Sequence, residues 1–135
     1  ITSVDDLPAE TVQVLAVCHS LTQTETELIG DPLEKVALTA IDWKLTKSDS
    51  VVPRKGRIPG MRIVQRFHFS SALKRMSVIA GYQAPMSADI DYIATTKGAA
   101  EVLREMLMEV PEKYDETYLE YSRRGARVLA LGRKE

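Results

Sequence analysis

The stretch RIVQRFHFSSALKRMSVIAGY, residues 62–82, decides the fold of this chain because it holds two strand-like runs joined by a short turn. The runs cover residues 62–69 and 75–82, and both are rich in the β-branched and aromatic residues that favour strands. The polar pair Ser70 and Ser71 marks the point at which the chain turns back. This pattern predicts two neighbouring strands of an antiparallel sheet.

Further strands and helices are predicted on both sides of this stretch. Short apolar runs predict strands at residues 28–29, 90–96 and 126–131. Apolar residues at helical spacing predict helices over residues 8–21 and 111–124, one from Pro32 to about Trp43, and one that begins at Gly98. Helices and strands do not alternate as in a parallel sheet. The order therefore predicts an α+β fold, with a mostly antiparallel sheet flanked by helices.

Local signals indicate where elements begin and end. Asp31 predicts an N-cap for the second helix, with Pro32 at the first helical position and Glu34 at the capping-box position. Gly125 is suited to end the last long helix. Residues 47–60, rich in proline, glycine and polar side chains, predict the longest loop of the chain, solvated and free to move.

The composition is that of an ordinary soluble globular protein, with 44% hydrophobic and 27% charged residues. Residues 1–135 suffice for a single domain with its own core. The net charge of −1 gives no reason to expect nucleic acid or a membrane surface as a partner. The chain opens at Ile1 and ends in the charged residues Arg133, Lys134 and Glu135. We interpret these ends as cuts through a larger protein.

A candidate nucleotide site surrounds the predicted turn. Phe69 precedes the two serines, and Lys74 follows them. A strand phenylalanine usually packs in a core, but a ring at a strand end beside hydroxyl groups and a lysine also offers a stacking surface for a base. Lys74 is either a solvated turn residue or a phosphate ligand. The thioether of Met76 suits either the core or a pocket wall.

More candidates lie elsewhere in the chain. Gly98, without a Cβ, leaves room for a flat base with Lys97 beside it, although a plain helix start with a surface lysine fits equally well. Glu34 is first of all a capping carboxylate, and it could also accept a hydrogen bond from the amino group of a base. Arg127 is either an edge-strand charge or a fork for phosphate oxygens. Together, an aromatic ring, cations and a bare backbone position point to ATP.

The sequence predicts neither a catalytic residue nor a metal site. Cys18, His19 and His68 lack the spacing of metal ligands and are interpreted as structural. No nucleophile and base are found together, and no P-loop or dinucleotide-binding glycine motif is present.

Four motifs resemble the nucleotide-binding domain of P-type ATPases, in the family's order and over nearly the whole chain: GDPLE at residues 30–34, FSSALKRMS at 69–77, KGAAE at 97–101 and GARVLA at 125–130. The resemblance implies that Phe69 stacks on adenine, whose amino group meets Glu34. It also implies that Lys97 and Gly98 line the pocket for the base and that Lys74 and Arg127 bind the phosphates.

Within that family, the segments CHSL at residues 18–21 and FHFSSALKRM at residues 67–76 resemble the type-5, group A branch, endoplasmic-reticulum pumps that extract misplaced transmembrane helices. A cation or polyamine pump of another branch is the alternative. The family's phosphorylated aspartate lies in an Asp-Lys-Thr-Gly-Thr motif, which this sequence lacks. The resemblance therefore implies a cytosolic domain that binds ATP without itself contacting the membrane. Hydrolysis would require Mg²⁺ and the phosphorylation and actuator domains of the parent chain.

Two interpretations from other classes remain. A protein-interaction module could use the tyrosines of the last long helix, Tyr114, Tyr118 and Tyr121, together with the loop of residues 47–60. A self-contained phosphate-transferring enzyme is disfavoured, because the sequence shows no carboxylate cluster of the kind that holds the Mg²⁺ ions of such chemistry.

Overall fold

The computed structural model describes residues 3–56 and 58–135 and has the α+β architecture expected from the sequence. The helices are α1 (Ala9–Val17), α2 (Pro32–Ala40), α3 (Ala100–Met106) and α4 (Tyr114–Arg123), with a 3-10 turn at Val4–Asp6. The strands are β1 (Thr22–Gln23), β2 (Leu28–Ile29), β3 (Trp43–Leu45), β4 (Ser50–Pro53), β5 (Met61–Ser70), β6 (Arg75–Tyr82), β7 (Asp91–Ala99) and β8 (Leu129–Lys134). Among the described residues, no helix is both long and apolar enough to cross a membrane.

Six strands form one antiparallel sheet in the order β3-β4-β5-β6-β7-β8, while β1 and β2 form a separate hairpin. The hairpin predicted over residues 62–82 is confirmed, and it lies at the centre of this sheet. Its turn is closed by Lys74, which has a positive φ of 55° and donates its N–H to the carbonyl of Ser70 at 2.6 Å. Helices α3 and α4 are inserted between β7 and β8.

The two helix pairs lie on opposite faces of the sheet. Leu131 of β8 packs against the larger core, which also contains residues of α1 and α2 such as Val17 and Leu38. Its neighbour Ala130 belongs to a smaller core with Leu103 of α3. Because successive residues of a strand point to opposite faces, α1 and α2 cover one face and α3 and α4 cover the other face near β8.

The first helix ends at Val17, earlier than predicted, because the buried ring of His19 binds the backbone on both sides of the helix end. Its Nε2 donates to the carbonyl of Ala16 at 2.8 Å, and the N–H of Leu21 donates to Nδ1 at 3.2 Å. These two bonds require a neutral ring. Burial of the ring, together with the nearby Arg66 guanidinium, lowers the pKa of His19 to about 4.

This histidine should make the fold sensitive to acid. Because the pKa in the folded chain lies below the ordinary value of 6.5, the unfolded chain binds the extra proton as the pH falls between the two. Because of this difference in the pKa of His19, we expect the free energy of unfolding to fall by about 3 kcal/mol as the pH is lowered from about 7.5 to 4. Urea unfolding at several pH values measures the effect. His19→Gln should flatten this pH dependence, and a pH dependence unchanged in His19→Gln would contradict this account.

The predicted loop of residues 47–60 is wrong in part, because β4 forms inside it. Val51 is fully buried and pairs with Leu45 of β3 on one side and Met61 of β5 on the other. The apolar run of β4 is short and is followed by proline and glycine residues, which hid the strand in the sequence. Arg57, in the second half of the predicted loop, lies outside the described residues.

Two helix boundaries also differ from the prediction. Helix α2 ends at Ala40, because Asp42 adopts a positive φ of 59° and Trp43 enters β3. The helix predicted to begin at Gly98 begins at Ala100, since Gly98 is paired within the sheet to both β6 and β8. Contacts between strands, which no local signal reports, decide both ends.

Gly125 ends α4, as predicted, and has a positive φ of 82°. The N–H of Gly125 donates to the carbonyl of Ser122 at 3.0 Å, and that of Ala126 donates to the carbonyl of Tyr121 at 3.1 Å. This pair of bonds is a Schellman cap. Ala126 is part of this cap, and strand β8 begins at Leu129 rather than at residue 126.

Helix α4 begins at Tyr114 rather than at residue 111. Its tyrosines face mainly inward. The hydroxyl of Tyr114 donates to the carbonyl of Ala100 at 2.6 Å, and its ring meets that of Tyr118 edge-to-face, with centroids 5.6 Å apart. Both rings pack against the smaller core. Of the three tyrosines proposed as an interaction surface, only Tyr121 is among the exposed large hydrophobic residues.

Candidate functional site

A cavity of about 250 Å³ lies where α2, the ends of β5 and β7, and the segment before β8 come together. It brings together six of the seven residues selected from the sequence: Glu34, Phe69, Met76, Lys97, Gly98 and Arg127. Four further residues complete its lining: Ser20, Asp31, Leu33 and Leu129. Larger cavities of about 590 Å³ border the open part of the sheet, but neither contains the ion pair described next.

An almost buried ion pair lies in the cavity. The ammonium group of Lys97 donates to Oε2 of Glu34 at 2.5 Å, and the two side chains are only 14% and 11% exposed. The other carboxylate oxygen, Oε1, accepts the backbone N–H of Ser20 at 3.2 Å. Because a carboxylate offers about four lone-pair positions, both oxygens keep capacity for another hydrogen bond.

The capping box predicted for α2 does not form. Asp31 caps the helix as expected, accepting the N–H of Leu33 at 2.8 Å. Glu34, however, turns away from its own helix start and binds Ser20 and Lys97. The carboxylate is therefore held in the cavity by two partners distant in sequence.

Gly98 lines the cavity, but the reason for the glycine differs from the prediction. A Cβ at this position would lie 2.4 Å from the carbonyl oxygen of Lys74 and 2.8 Å from the Cα of Arg75. The space beside Gly98 is thus filled by the β5–β6 turn rather than left open for a base. The N–H of Ala99 donates to that same carbonyl of Lys74 at 3.1 Å, which fastens the turn to β7. Met76 is buried and pairs with Lys97 across β6 and β7.

Phe69 stands at the open edge of the cavity and is 60% exposed. The regular pairing of β5 with β6 stops after Phe67 and resumes at Ser70, so Phe69 lies in an irregular part of the strand. Phe67, two residues earlier on β5, borders a separate cavity that Phe69 does not line, although strict alternation along a strand would place both rings on one face. The plain interpretation of Phe69 as a core residue is excluded by its exposure.

The mouth of the cavity carries a loose ion pair. The guanidinium of Arg127 lies 3.6 Å from Oδ2 of Asp31, and the two side chains are 65% and 38% exposed. The N–H of Leu33, and more weakly the Arg127 guanidinium, hold the pKa of Asp31 below its ordinary value. An exposed pair of this kind has little energy of its own and exchanges partners readily.

Lys74 is the one selected residue that does not line the cavity. Its side chain is exposed on the turn between β5 and β6, while its carbonyl packs against Gly98 and Ala99. The lining residues that the sequence did not select for the site are Ser20, Asp31, Leu33 and Leu129, although Asp31 was predicted as a helix cap. Leu33 and Leu129 lie within the family motifs, and Ser20 lies in the CHSL segment, but no spacing rule assigned them to the site.

The cavity suits a planar, partly polar ligand. It is smaller than the 300–1,000 Å³ or so that encloses a drug-sized molecule, so it fits a base but not a whole nucleoside triphosphate. An exposed aromatic ring offers stacking, and the Glu34–Lys97 pair offers an acceptor and a donor side by side. Within residues 3–56 and 58–135, no group of three or more histidine, cysteine or acidic residues could hold a metal ion.

Known proteins resemble the chain over nearly its whole length, although no protein-family model matches it. It is 46% identical, over 98% of its residues, to a probable manganese-transporting ATPase of Arabidopsis thaliana, of which it covers 11%. It is 38% identical, over 98% of its residues, to the endoplasmic reticulum transmembrane helix translocase of Saccharomyces cerevisiae, of which it covers 10%. A polyamine-transporting ATPase of Mus musculus is 31% identical over 92% of the chain, which covers 13% of it.

The chain thus spans about a tenth of the length of the curated relatives it matches. Its six-stranded antiparallel sheet flanked by helices agrees with the fold expected of the family's nucleotide-binding domain. Over nearly its whole length, the chain is thus homologous to P-type ATPases of the group that includes the endoplasmic reticulum transmembrane helix translocases.

Proposed function

We propose that this chain is the nucleotide-binding domain of a longer membrane ATPase and that it binds ATP in the cavity between Phe69 and the Glu34–Lys97 pair. The observation that carries the proposal is the meeting of an exposed aromatic ring with an almost buried acceptor–donor pair in one small cavity. Adenine presents the matching groups, which are a flat face, an amino donor and ring-nitrogen acceptors.

In this arrangement the ring of Phe69 stacks on adenine, and Glu34 accepts a hydrogen bond from the exocyclic amino group. Lys97 donates toward the ring nitrogens while it holds the carboxylate in place. Met76 and the backbone of Gly98 complete the wall of the base site. The pair is neutral overall, so it selects by hydrogen-bond pattern more than by charge.

The phosphates leave the cavity through its mouth. Arg127 binds them at the mouth, and Lys74, on the exposed turn outside the cavity, is the second cation that binds phosphate. The cavity is too small to enclose the triphosphate, so the tail extends into solvent. In the parent enzyme, the exposed γ-phosphate would be within reach of the aspartate of a separate phosphorylation domain. That domain, together with Mg²⁺ and the actuator domain, would complete the reaction.

For the whole protein, we propose an ATPase of the endoplasmic reticulum membrane that acts on transmembrane helices. The chain is 34–39% identical to three proteins named as endoplasmic reticulum transmembrane helix translocases, against 31% for a polyamine-transporting ATPase. A cation pump is the second candidate, favoured by the 46% identity to the probable manganese-transporting ATPase. Either assignment leaves the ATP site of this chain the same.

A titration of the chain with ATP, followed by amide chemical shifts, tests the proposed binding. We expect the amides of Phe69, Thr96 and Gly98 to shift with a common dissociation constant of roughly 0.1–1 mM. ADP should bind with similar affinity, and Mg²⁺ should not tighten the complex. A protein-interaction module without a nucleotide site would show no shift. The inward packing of Tyr114 and Tyr118 also removes two of the three tyrosines from the surface such a module would use.

The ion pair at the mouth should restrain nucleotide binding. Asparagine caps a helix as well as aspartate does, so Asp31→Asn removes the charge but keeps the bond to Leu33. We expect ATP affinity to rise about two- to fivefold at low salt, because Arg127 is released and a negative charge near the phosphates is lost. Calorimetry at low and high salt measures the gain, which should shrink as salt rises. Asp89→Asn, at an exposed site outside the cavity, is the matched control, and equal affinities in all three proteins would contradict the role of the pair.

A further inference from the structure

The connection between α1 and β1 is fixed in place by an arginine of β5. Arg66 donates through Nε to the carbonyl of His19 at 2.9 Å and through Nη2 to the carbonyl of Leu21 at 3.3 Å. Asp49 holds the same guanidinium through two hydrogen bonds of 2.9 and 3.2 Å. The residue between the two carbonyls, Ser20, therefore has a well-defined position.

Ser20 contacts both walls of the cavity. Its N–H donates to Oε1 of Glu34 at 3.2 Å, on the side of α2. Its hydroxyl lies 3.3 Å from Nδ1 of His68, within hydrogen-bond distance, on the side of β5. His68 directly precedes Phe69 in the chain. One residue thus links the carboxylate to the segment that carries the aromatic ring.

The contact to His68 matters because β5 is irregular at this point. The pairing of β5 with β6 is interrupted between Phe67 and Ser70, so the ladder does not fix the direction of the Phe69 ring. Side-chain contacts of the neighbouring residue must orient the ring instead. The hydroxyl of Ser20 supplies such a contact from a connection that Arg66 already holds.

We propose that Ser20 is a positioning residue that sets the ring of Phe69 opposite the Glu34 carboxylate and so fixes the width of the slot for the base. The inference rests on the proposed function, binding of ATP in this cavity. It adds a residue of the cavity lining whose role is to act through His68 on Phe69.

Removal of the hydroxyl alone gives the first test. Ser20→Ala keeps the backbone N–H to Glu34, and we expect it to raise the dissociation constant for ATP about five- to tenfold. Ser20→Thr restores a hydroxyl and should bring the affinity back to within about twofold of wild type. Ser71→Ala, in the exposed turn after Phe69, is the matched control and should change nothing. Wild-type affinity in Ser20→Ala would overturn the proposal.

A double-mutant cycle separates positioning from a general loss of structure. In a Phe69→Leu background, Ser20→Ala should have no further effect on ATP affinity, because the ring it orients is gone. The same loss in both backgrounds would show that Ser20 acts independently of Phe69 and would overturn the proposal. The aromatic NMR signals of Phe69 should also shift in nucleotide-free Ser20→Ala. If the wild-type chain fails to bind ATP, the proposed function fails, while these ring signals still decide whether Ser20 orients Phe69.

Discussion

Replacement of Phe69 by alanine is expected to weaken ATP binding by about 1–3 kcal/mol, the usual contribution of a base stacked on an aromatic side chain. The ring is 60% exposed and belongs to neither core, so its loss should leave the fold and its thermal stability almost unchanged. Calorimetric titration with ATP, together with thermal unfolding of the same samples, measures both quantities.

Phe67→Ala is the matched control, because Phe67 lies on the same strand and is 55% exposed but borders a different cavity. Its affinity for ATP should equal that of wild type. If Phe69→Ala binds ATP as tightly as Phe67→Ala does, the base does not stack on Phe69. A large loss of stability in Phe69→Ala would instead show that the ring supports the fold.

The second large effect concerns stability. In Glu34→Gln, the ammonium group of Lys97 would remain almost buried without its counter-charge. Breaking a buried ion pair from one side is costly, and we expect the free energy of unfolding to fall by about 2–4 kcal/mol. Urea unfolding at neutral pH measures the change. The same variant should discriminate less between ATP and GTP, because glutamine presents only one acceptor oxygen.

A surface pair provides the control for this prediction. Glu120 and Arg124 form an ion pair on α4 whose side chains are 57% and 68% exposed. Glu120→Gln should therefore change the free energy of unfolding by less than about 0.5 kcal/mol. The double variant Glu34→Gln/Lys97→Met should recover part of the loss, since it leaves no unpaired charge. Equal effects of Glu34→Gln and Glu120→Gln would contradict the assigned burial of the Glu34–Lys97 pair.

Features that depend on local chemistry were predictable from the sequence. The hairpin over residues 62–82, the helix cap at Asp31 and the helix end at Gly125 are all confirmed, because side chains next to one another in the chain determine them. Six of the seven candidate site residues line one cavity, but they were selected from four motifs rather than from geometry, and their roles in binding stay a prediction.

Features that depend on distant partners were not predictable. Glu34 binds Lys97, 63 positions away, rather than the start of its own helix. Gly98 is needed because the carbonyl of Lys74 approaches it from the β5–β6 turn. The irregular pairing at Phe69 is another such case, since a strand pattern assigns faces by strict alternation. Ser20 belongs to the site because of its contacts to α2 and β5, and no spacing in the sequence reveals these contacts.

The insertion of α3 and α4 between the last two strands has a consequence for the order in which the protein assembles. Strands β4 to β7 each pair with the strand that precedes them in the chain, across short connections, so these pairings can form one after another. Strand β8 must wait until the whole stretch from Ala99 to Leu129 has closed on itself, which costs more chain entropy. Arg127 and Leu129 arrive with β8 and complete the cavity wall. During synthesis, the chain would thus form the rest of the sheet before the cavity lined by Phe69 and the Glu34–Lys97 pair is complete.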